Sequence, residues 1–86
     1  MNLLFTEESW EDYQYWQQTD KKILKKINQL LNAIKRDPFD GIGKPEPLKY
    51  HLDGCWSRRI TEEHRLVYEV IDETIKIIGC RFHYKP

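Results

Sequence analysis

The chain has little that would support a disulfide framework, a metal centre or a membrane anchor. Its 86 residues include two cysteines, Cys55 and Cys80, which form no CxxC pair and no regular cysteine–histidine spacing. We therefore expect two buried or partly buried thiols, no metal ion and no cofactor. No apolar run approaches the roughly 18 residues that a membrane span needs, and residues 1–5 are too short and uncharged for a secretion signal. This predicts a cytoplasmic protein without membrane attachment.

Excess charge is also lacking, since 14 basic residues balance 14 acidic ones. A protein that coats nucleic acid by electrostatics alone is usually strongly basic, so this balance argues against that class. The charges are nevertheless segregated, because residues 1–20 contain no lysine or arginine and the next stretch is rich in lysine. The pattern indicates an acidic helix followed by a basic one that can steer the protein to a polyanion.

The length and the 40% of hydrophobic residues predict one domain spanning residues 1–86. Thr6 is a candidate N-cap for a first helix, whose Trp10, Tyr13 and Trp16 recur every three residues and are expected to pack in the core rather than to stack on bases. A second helix, capped by Thr19 or Asp20, follows from the apolar periodicity of residues 23–34.

A long loop is predicted between residues 37 and 54, where most of the prolines and glycines lie. Loops of this length in small domains tend to be functional. Within it, Glu46 stands between Pro45 and Pro47, which restrict the backbone on both sides.

The remaining sequence predicts an α+β fold in which two N-terminal helices pack on one face of a four-stranded antiparallel sheet. Residues 3–5, 56–60, 65–71 and 74–82 are the expected strands, and short turns make the last three antiparallel neighbours. The register stays open: a two-residue turn at Asp72-Glu73 places Arg65 on the face of Cys80 and Phe82, and a three-residue loop places it with Arg81 and His83. A β-bulge would reconcile the two.

The second half of the chain carries the groups that metal-free RNA cleavage requires. Such cleavage needs one group to deprotonate a ribose 2′-hydroxyl, another to protonate the leaving 5′-oxygen, and cations for the charge of the transition state. The candidates are Glu46, Lys49, Arg59, Arg65, His83 and Tyr84.

Simpler roles exist for several of these residues. Arg58, Arg59 and Arg65 could instead form ordinary cross-strand ion pairs with Glu62, Glu63 and Glu69. His51 and His64 compete with His83 for the role of the proton-transferring imidazole.

Four segments, in order and with matching spacing, resemble the YoeB family of the RelE/ParE toxin superfamily. They are residues 7–13 (EESWEDY), 44–49 (KPEPLK), 56–68 (WSRRITEEHRLVY) and 80–84 (CRFHY). The resemblance implies a RelE-like microbial ribonuclease fold and the toxin of a type II toxin–antitoxin system. It implies cleavage of messenger RNA in the ribosomal A site, neutralisation by a YefM-like antitoxin, and a homodimer as one state of the chain.

The resemblance also assigns roles to individual positions. Glu46 would be the general base, His83 the general acid and Arg65 the main cation that stabilises the transition state. Substrate binding would fall to Lys49, Arg59 and Tyr84.

Two other classes of protein compete with the toxin interpretation. A ParE-like toxin shares the fold, acts on DNA gyrase and lacks the acid–base set, so the joint presence of Glu46, Arg65 and His83 argues against it. The other is a pure binding or regulatory module. An upstream gene for a small antitoxin with a disordered, acidic C-terminal half would favour the toxin interpretation.

Overall fold

The computed structural model describes residues 1–82. His83 and Tyr84, two of the predicted site residues, lie outside the described residues. The elements in chain order are β1 (Asn2–Phe5), α1 (Glu7–Thr19), α2 (Lys21–Arg36), β2 (Glu46–Pro47), a 3-10 helix (Tyr50–Leu52), β3 (Cys55–Arg59), β4 (Arg65–Ile71) and β5 (Thr74–Gly79).

Side-chain caps fix the boundaries of the two helices. The Thr6 hydroxyl accepts the N–H of Ser9 at the start of α1. Asp20 both ends α1 and begins α2, where its carboxylate accepts the N–H groups of Lys22 and Ile23. Asp20, rather than Thr19, is therefore the cap of the second helix.

The prediction of a four-stranded antiparallel sheet was wrong in two respects, because the sheet has five strands and is mixed. The strand order is β1-β5-β4-β3-β2, and β1 runs parallel to β5. Short turns dictate antiparallel neighbours only for β3, β4 and β5, whereas the two helices intervene between β1 and the rest of the sheet. The extra strand is β2, a two-residue edge strand in which a proline is tolerated because one side of an edge needs no donor.

β5 contains a β-bulge, the irregularity that would reconcile the two predicted registers. Ile71 pairs with Thr74 across the two-residue turn, and Tyr68 pairs with Ile77, but Val67 pairs with Gly79. One extra residue of β5 therefore lies between the last two pairs and shifts the register beyond it by one position. β5 ends at Gly79, before the predicted end at residue 82.

The core lies between the helices and one face of the sheet. Trp16 and the buried positions of α2 pack there on alternate residues of β4 and β5, including Leu66, Tyr68, Ile75 and Ile77. The predicted core role of the aromatic stripe holds for Trp16, which is 5% exposed, but not for Trp10, which is 45% exposed. Within residues 1–82, no helix is long and apolar enough to cross a membrane.

Candidate active site

Two arginines stand side by side on the face of the sheet that points away from the helices. Arg59, the last residue of β3, pairs directly with Arg65, the first residue of β4. Leu66 packs in the core, so its neighbour Arg65 projects from the opposite face. Directly opposed residues have Cβ atoms about 4.5–5.5 Å apart, and like charges at that distance repel each other. We call Arg59 and Arg65 the cationic pair.

The cross-strand ion pairs with Glu62, Glu63 and Glu69, given above as the alternative role of these arginines, do not form. Among residues 1–82 no lysine or arginine side chain pairs with a carboxylate, and the single close contact between a basic and an acidic side chain joins Glu63 Oε1 to His64 Nε2 at 4.0 Å. The cationic pair thus has no carboxylate partner in the described part of the chain, where two positively charged side chains stand next to each other.

Glu46 extends the same face of the sheet. It pairs with Ser57 of β3, whose side chain shares a face with that of Arg59 two residues later. Diagonal neighbours of this kind lie roughly 7–8 Å apart, which brings an exposed carboxylate near the cationic pair. One more hydrogen bond holds the loop between α2 and β2 against β3: the N–H of Arg59 donates to the carbonyl oxygen of Gly43 at 2.6 Å.

The guanidinium of Arg65 is held by the loop that joins β3 to β4. Its Nη1 donates to the carbonyl oxygens of Thr61 at 2.6 Å, Glu62 at 2.9 Å and His64 at 3.1 Å. Within residues 1–82, the hydrogen bonds of this guanidinium all use Nη1, and neither Nε nor Nη2 donates to a described residue. A preorganised donor of this kind can stabilise developing negative charge without reorganising.

Arg58 has a different role from the predicted surface ion pair, because it is fully buried on the helix side of β3. Its guanidinium donates to the Tyr68 hydroxyl and to the carbonyl oxygens of Asp37, Asp40 and Ile42. The Tyr68 hydroxyl in turn donates to the carbonyl oxygen of Pro38. A buried cation thus ties the loop after α2 to the sheet. The sequence offered no signal that separates this arginine from its neighbour Arg59.

Strained backbone surrounds the predicted site residues. Up to residue 82, four residues other than glycine have positive φ angles, and Asp72 at 53° belongs to the tight β4–β5 turn. The others are Lys44 at 51°, Tyr50 at 58° and Phe82 at 67°, which lie within two residues of Glu46, Lys49 and His83 respectively. Such conformations are uncommon and cluster at functional sites. Lys49 is exposed immediately before the 3-10 helix, and the Tyr50 side chain is 78% exposed.

The two competing histidines are in contrasting positions. His51 is exposed in the 3-10 helix. The side chain of His64 is only 11% exposed, and its Nδ1 accepts the N–H of Phe82 at 2.8 Å. His64 is therefore committed to a structural contact next to the end of the described chain, which the sequence analysis did not foresee.

Both thiols are buried, as predicted. Burial raises the pKa of Cys80 to about 12, and burial also raises the pKa of Cys55. Neither thiol therefore has the thiolate character that a nucleophile at neutral pH would need. Asp12 lies close to Cys80, where its carboxylate accepts the Cys80 N–H, and its pKa is raised mainly by burial.

Two helices on one face of a five-stranded mixed sheet define a RelE-like toxin fold, and here the cationic pair and Glu46 lie on the other face of that sheet. The model of the YoeB-like toxins of bacterial type II toxin–antitoxin systems matches residues 5–84. The YoeB toxin of Escherichia coli strain K12 is 63% identical over 84 residues, which cover 98% of this chain and 100% of that relative.

Solved structures agree with this similarity. The YoeB/ParE toxin from Agrobacterium tumefaciens is 53% identical and superposes with a TM-score of 0.95, with 98% of this chain and 100% of that chain covered. The Staphylococcus aureus toxin has been solved as a YoeB dimer, at 55% identity and a TM-score of 0.91, and as a YoeB–YefM complex, at 54% and 0.90. Both comparisons cover 98% of each chain. The chain belongs to the YoeB family of type II toxins.

Proposed function

We propose that the chain is a ribosome-dependent endoribonuclease that cuts messenger RNA in the A site by general acid–base catalysis without a metal ion. The observation that carries the proposal is the cationic pair, which lacks a carboxylate partner among residues 1–82 and has the Glu46 carboxylate on the same face of the sheet. Adjacent cations beside a carboxylate suit a phosphodiester, because the cations bind its charge while the carboxylate accepts a proton.

The proposed chemistry is an attack of the ribose 2′-oxygen on the adjacent phosphorus. Glu46 takes the proton of the 2′-hydroxyl as the oxygen–phosphorus bond forms. The bond from phosphorus to the 5′-oxygen of the next nucleotide breaks, and His83 gives that oxygen a proton. The products are a 2′,3′-cyclic phosphate and a free 5′-hydroxyl.

The other predicted residues bind the substrate. Arg65 stabilises the negative charge that grows on the phosphate oxygens, and the fixed position of its Nη1 leaves Nε and Nη2 to donate. Arg59 and Lys49 hold the neighbouring phosphates, and Tyr84 stacks on a base or contacts the phosphate. The roles of His83 and Tyr84 rest on the family resemblance.

The proposed partners follow from the relatives. A YefM-like antitoxin would neutralise this toxin, as the Staphylococcus aureus toxin has been solved in complex with YefM. A homodimer is proposed because the same relative has been solved as a dimer. The ribosome and messenger RNA are proposed from the chemistry of the site and from the family resemblance.

A gyrase-directed, ParE-like activity is the second candidate that the fold admits. It would require neither the Glu46 carboxylate nor a proton donor at the end of the chain. The grouping of Glu46 with the cationic pair favours the ribonuclease.

The test is cleavage of a defined messenger RNA on purified ribosomes, with analysis of both new RNA ends. The proposal predicts cuts only in the presence of ribosomes, a cyclic phosphate on one side and a 5′-hydroxyl on the other. Ribosomes need Mg²⁺ for their own integrity, so the chelator control is applied to the toxin before it is mixed with intact ribosomes. A 3′-hydroxyl product, or activity lost after this treatment, would contradict the proposal.

A further inference from the structure

Both polar groups of the Phe82 backbone form hydrogen bonds. Its N–H donates to Nδ1 of His64 at 2.8 Å, and its carbonyl oxygen accepts the N–H of Arg65 at 3.0 Å. Phe82 has a φ of 67°, a left-handed conformation that a bulky residue seldom adopts unless its surroundings impose it. His64, the last residue of the β3–β4 loop, and Arg65, the first residue of β4, therefore fix the backbone of Phe82.

His64 is itself held rigidly. Its carbonyl oxygen accepts the N–H groups of Ile60 and Thr61, and its own N–H donates to the Thr61 hydroxyl. The imidazole meets the buried ring of Trp16 edge to face, with centroids 4.8 Å apart and planes at 76°, and it lies 5.9 Å from the ring of Phe82. Since backbone and ring are both fixed, Nδ1 is a rigid acceptor.

The contact requires a particular form of the imidazole. A ring nitrogen that accepts a hydrogen bond carries no proton, so the proton of the neutral ring lies on Nε2. The Glu63 carboxylate, 4.0 Å from Nε2, favours that tautomer because it attracts the Nε2–H group. His64 can therefore not serve as the proton donor of the reaction through Nδ1 while it holds Phe82.

We propose that His64 is a positioning residue that sets the catalytic rate by fixing the backbone of Phe82, the residue immediately before His83. The inference rests on the proposed function, in which His83 is the general acid. A proton donor must lie within hydrogen-bond reach of the leaving oxygen, and a displacement of about 1 Å at a catalytic group can cost on the order of 100-fold in rate.

Two substitutions of His64 distinguish the effect of losing the hydrogen-bond acceptor from the effect of changing the volume of the side chain. His64→Asn keeps an oxygen acceptor close to the position of Nδ1, whereas His64→Leu fills similar space without an acceptor. The first readout is amide hydrogen exchange of Phe82, measured in the full chain by NMR. We expect exchange to be at least about tenfold faster in His64→Leu and near wild type in His64→Asn, while the amide of Leu66 stays protected in both.

The second readout is single-turnover cleavage against ribosome concentration. We expect His64→Leu to lower the saturated rate by about 10- to 100-fold with an unchanged half-saturating concentration, and His64→Asn to recover most of that loss. A residue with a merely structural role would alter both parameters or neither, and the asparagine would not rescue the rate. If the leucine variant does not fold, His64→Gln, whose amide reaches the position of Nε2 instead, takes its place.

Either of two results would overturn the inference: unchanged exchange of the Phe82 amide in the variant without an acceptor, or faster exchange with an unchanged saturated rate. His83→Ala separates this failure from failure of the proposed function. If His83→Ala cuts like the wild type, the general-acid assignment itself is wrong. If His83→Ala is inactive and His64→Leu is fully active, only the positioning role of His64 fails.

Discussion

Arg58→Met should lower the free energy of unfolding by about 3 kcal/mol, as expected for the loss of a buried charged group that satisfies several partners. The arginine is 0% exposed and donates four hydrogen bonds, three of them to carbonyl oxygens of the loop between α2 and β2. Methionine keeps the apolar volume of the side chain but donates nothing, so the loop carbonyls lose their partners.

The magnitude results from two opposing contributions. Hydrogen bonds from a charged donor are worth roughly 1.5–3 kcal/mol each, which would give a far larger loss if all four simply added. Burial of a guanidinium costs several kcal/mol of hydration, and that cost disappears with the charge. The Tyr68 hydroxyl also keeps its bond to the carbonyl oxygen of Pro38, so the loop stays tethered at one point.

Urea unfolding, followed by tryptophan fluorescence, measures the change. Arg59→Met is the matched control, because the same substitution one residue later removes an exposed arginine whose neighbour is another arginine. We expect the control to lie within about 0.5 kcal/mol of wild type. Equal stability of the two variants would refute the view that the buried arginine organises the loop.

Three further predictions concern ionisation and docking. Burial raises the pKa of Asp12 above 3.8, so the folded state binds this proton more tightly than the unfolded chain does. Wild type should therefore gain stability relative to Asp12→Asn as the pH falls through the raised pKa towards 3.8. A difference in urea midpoint between the two proteins that stays constant over this pH range would contradict the prediction. With a pKa of about 12, Cys80 should react with a thiol reagent at pH 8 only after unfolding, and rapid modification of the native protein would refute its burial. The basic face of α2 consists of Lys21, Lys22, Lys25 and Lys26. Neutralising these lysines should weaken ribosome binding and flatten its salt dependence without changing the saturated cleavage rate. Normal binding of this variant at two salt concentrations would show that the face is merely solvated.

Local signals were sufficient for much of the fold. The periodicity of α2, the caps at Thr6 and Asp20 and the short β4–β5 turn each depend on a few neighbouring residues, and the structure has all of them. The parallel pairing of β1 with β5 depends on which edge of the sheet a distant segment joins. No local pattern encodes that choice, so the mixed character was missed. The fifth strand was missed because β2 is only two residues long and contains a proline.

The site shows the same division between local and distant information. Residue types and the family resemblance pointed to Glu46, Arg59 and Arg65, which the structure brings to one face of the sheet. Burial of Arg58 and the commitment of His64 to Phe82 depend on contacts between segments far apart in the chain. Composition and spacing carry no information about such contacts.

The central claim, proton transfer by Glu46 beside the cationic pair, is tested most directly by the saturated single-turnover rate of messenger RNA cleavage on ribosomes. Glu46→Gln keeps the shape of the side chain and removes its basicity, and Glu73→Gln, in the exposed β4–β5 turn, is the matched control. We predict a loss of about 10²- to 10⁴-fold for Glu46→Gln at saturating ribosome, with the control at the wild-type rate. A Glu46→Gln variant that cuts at the wild-type rate would contradict the account.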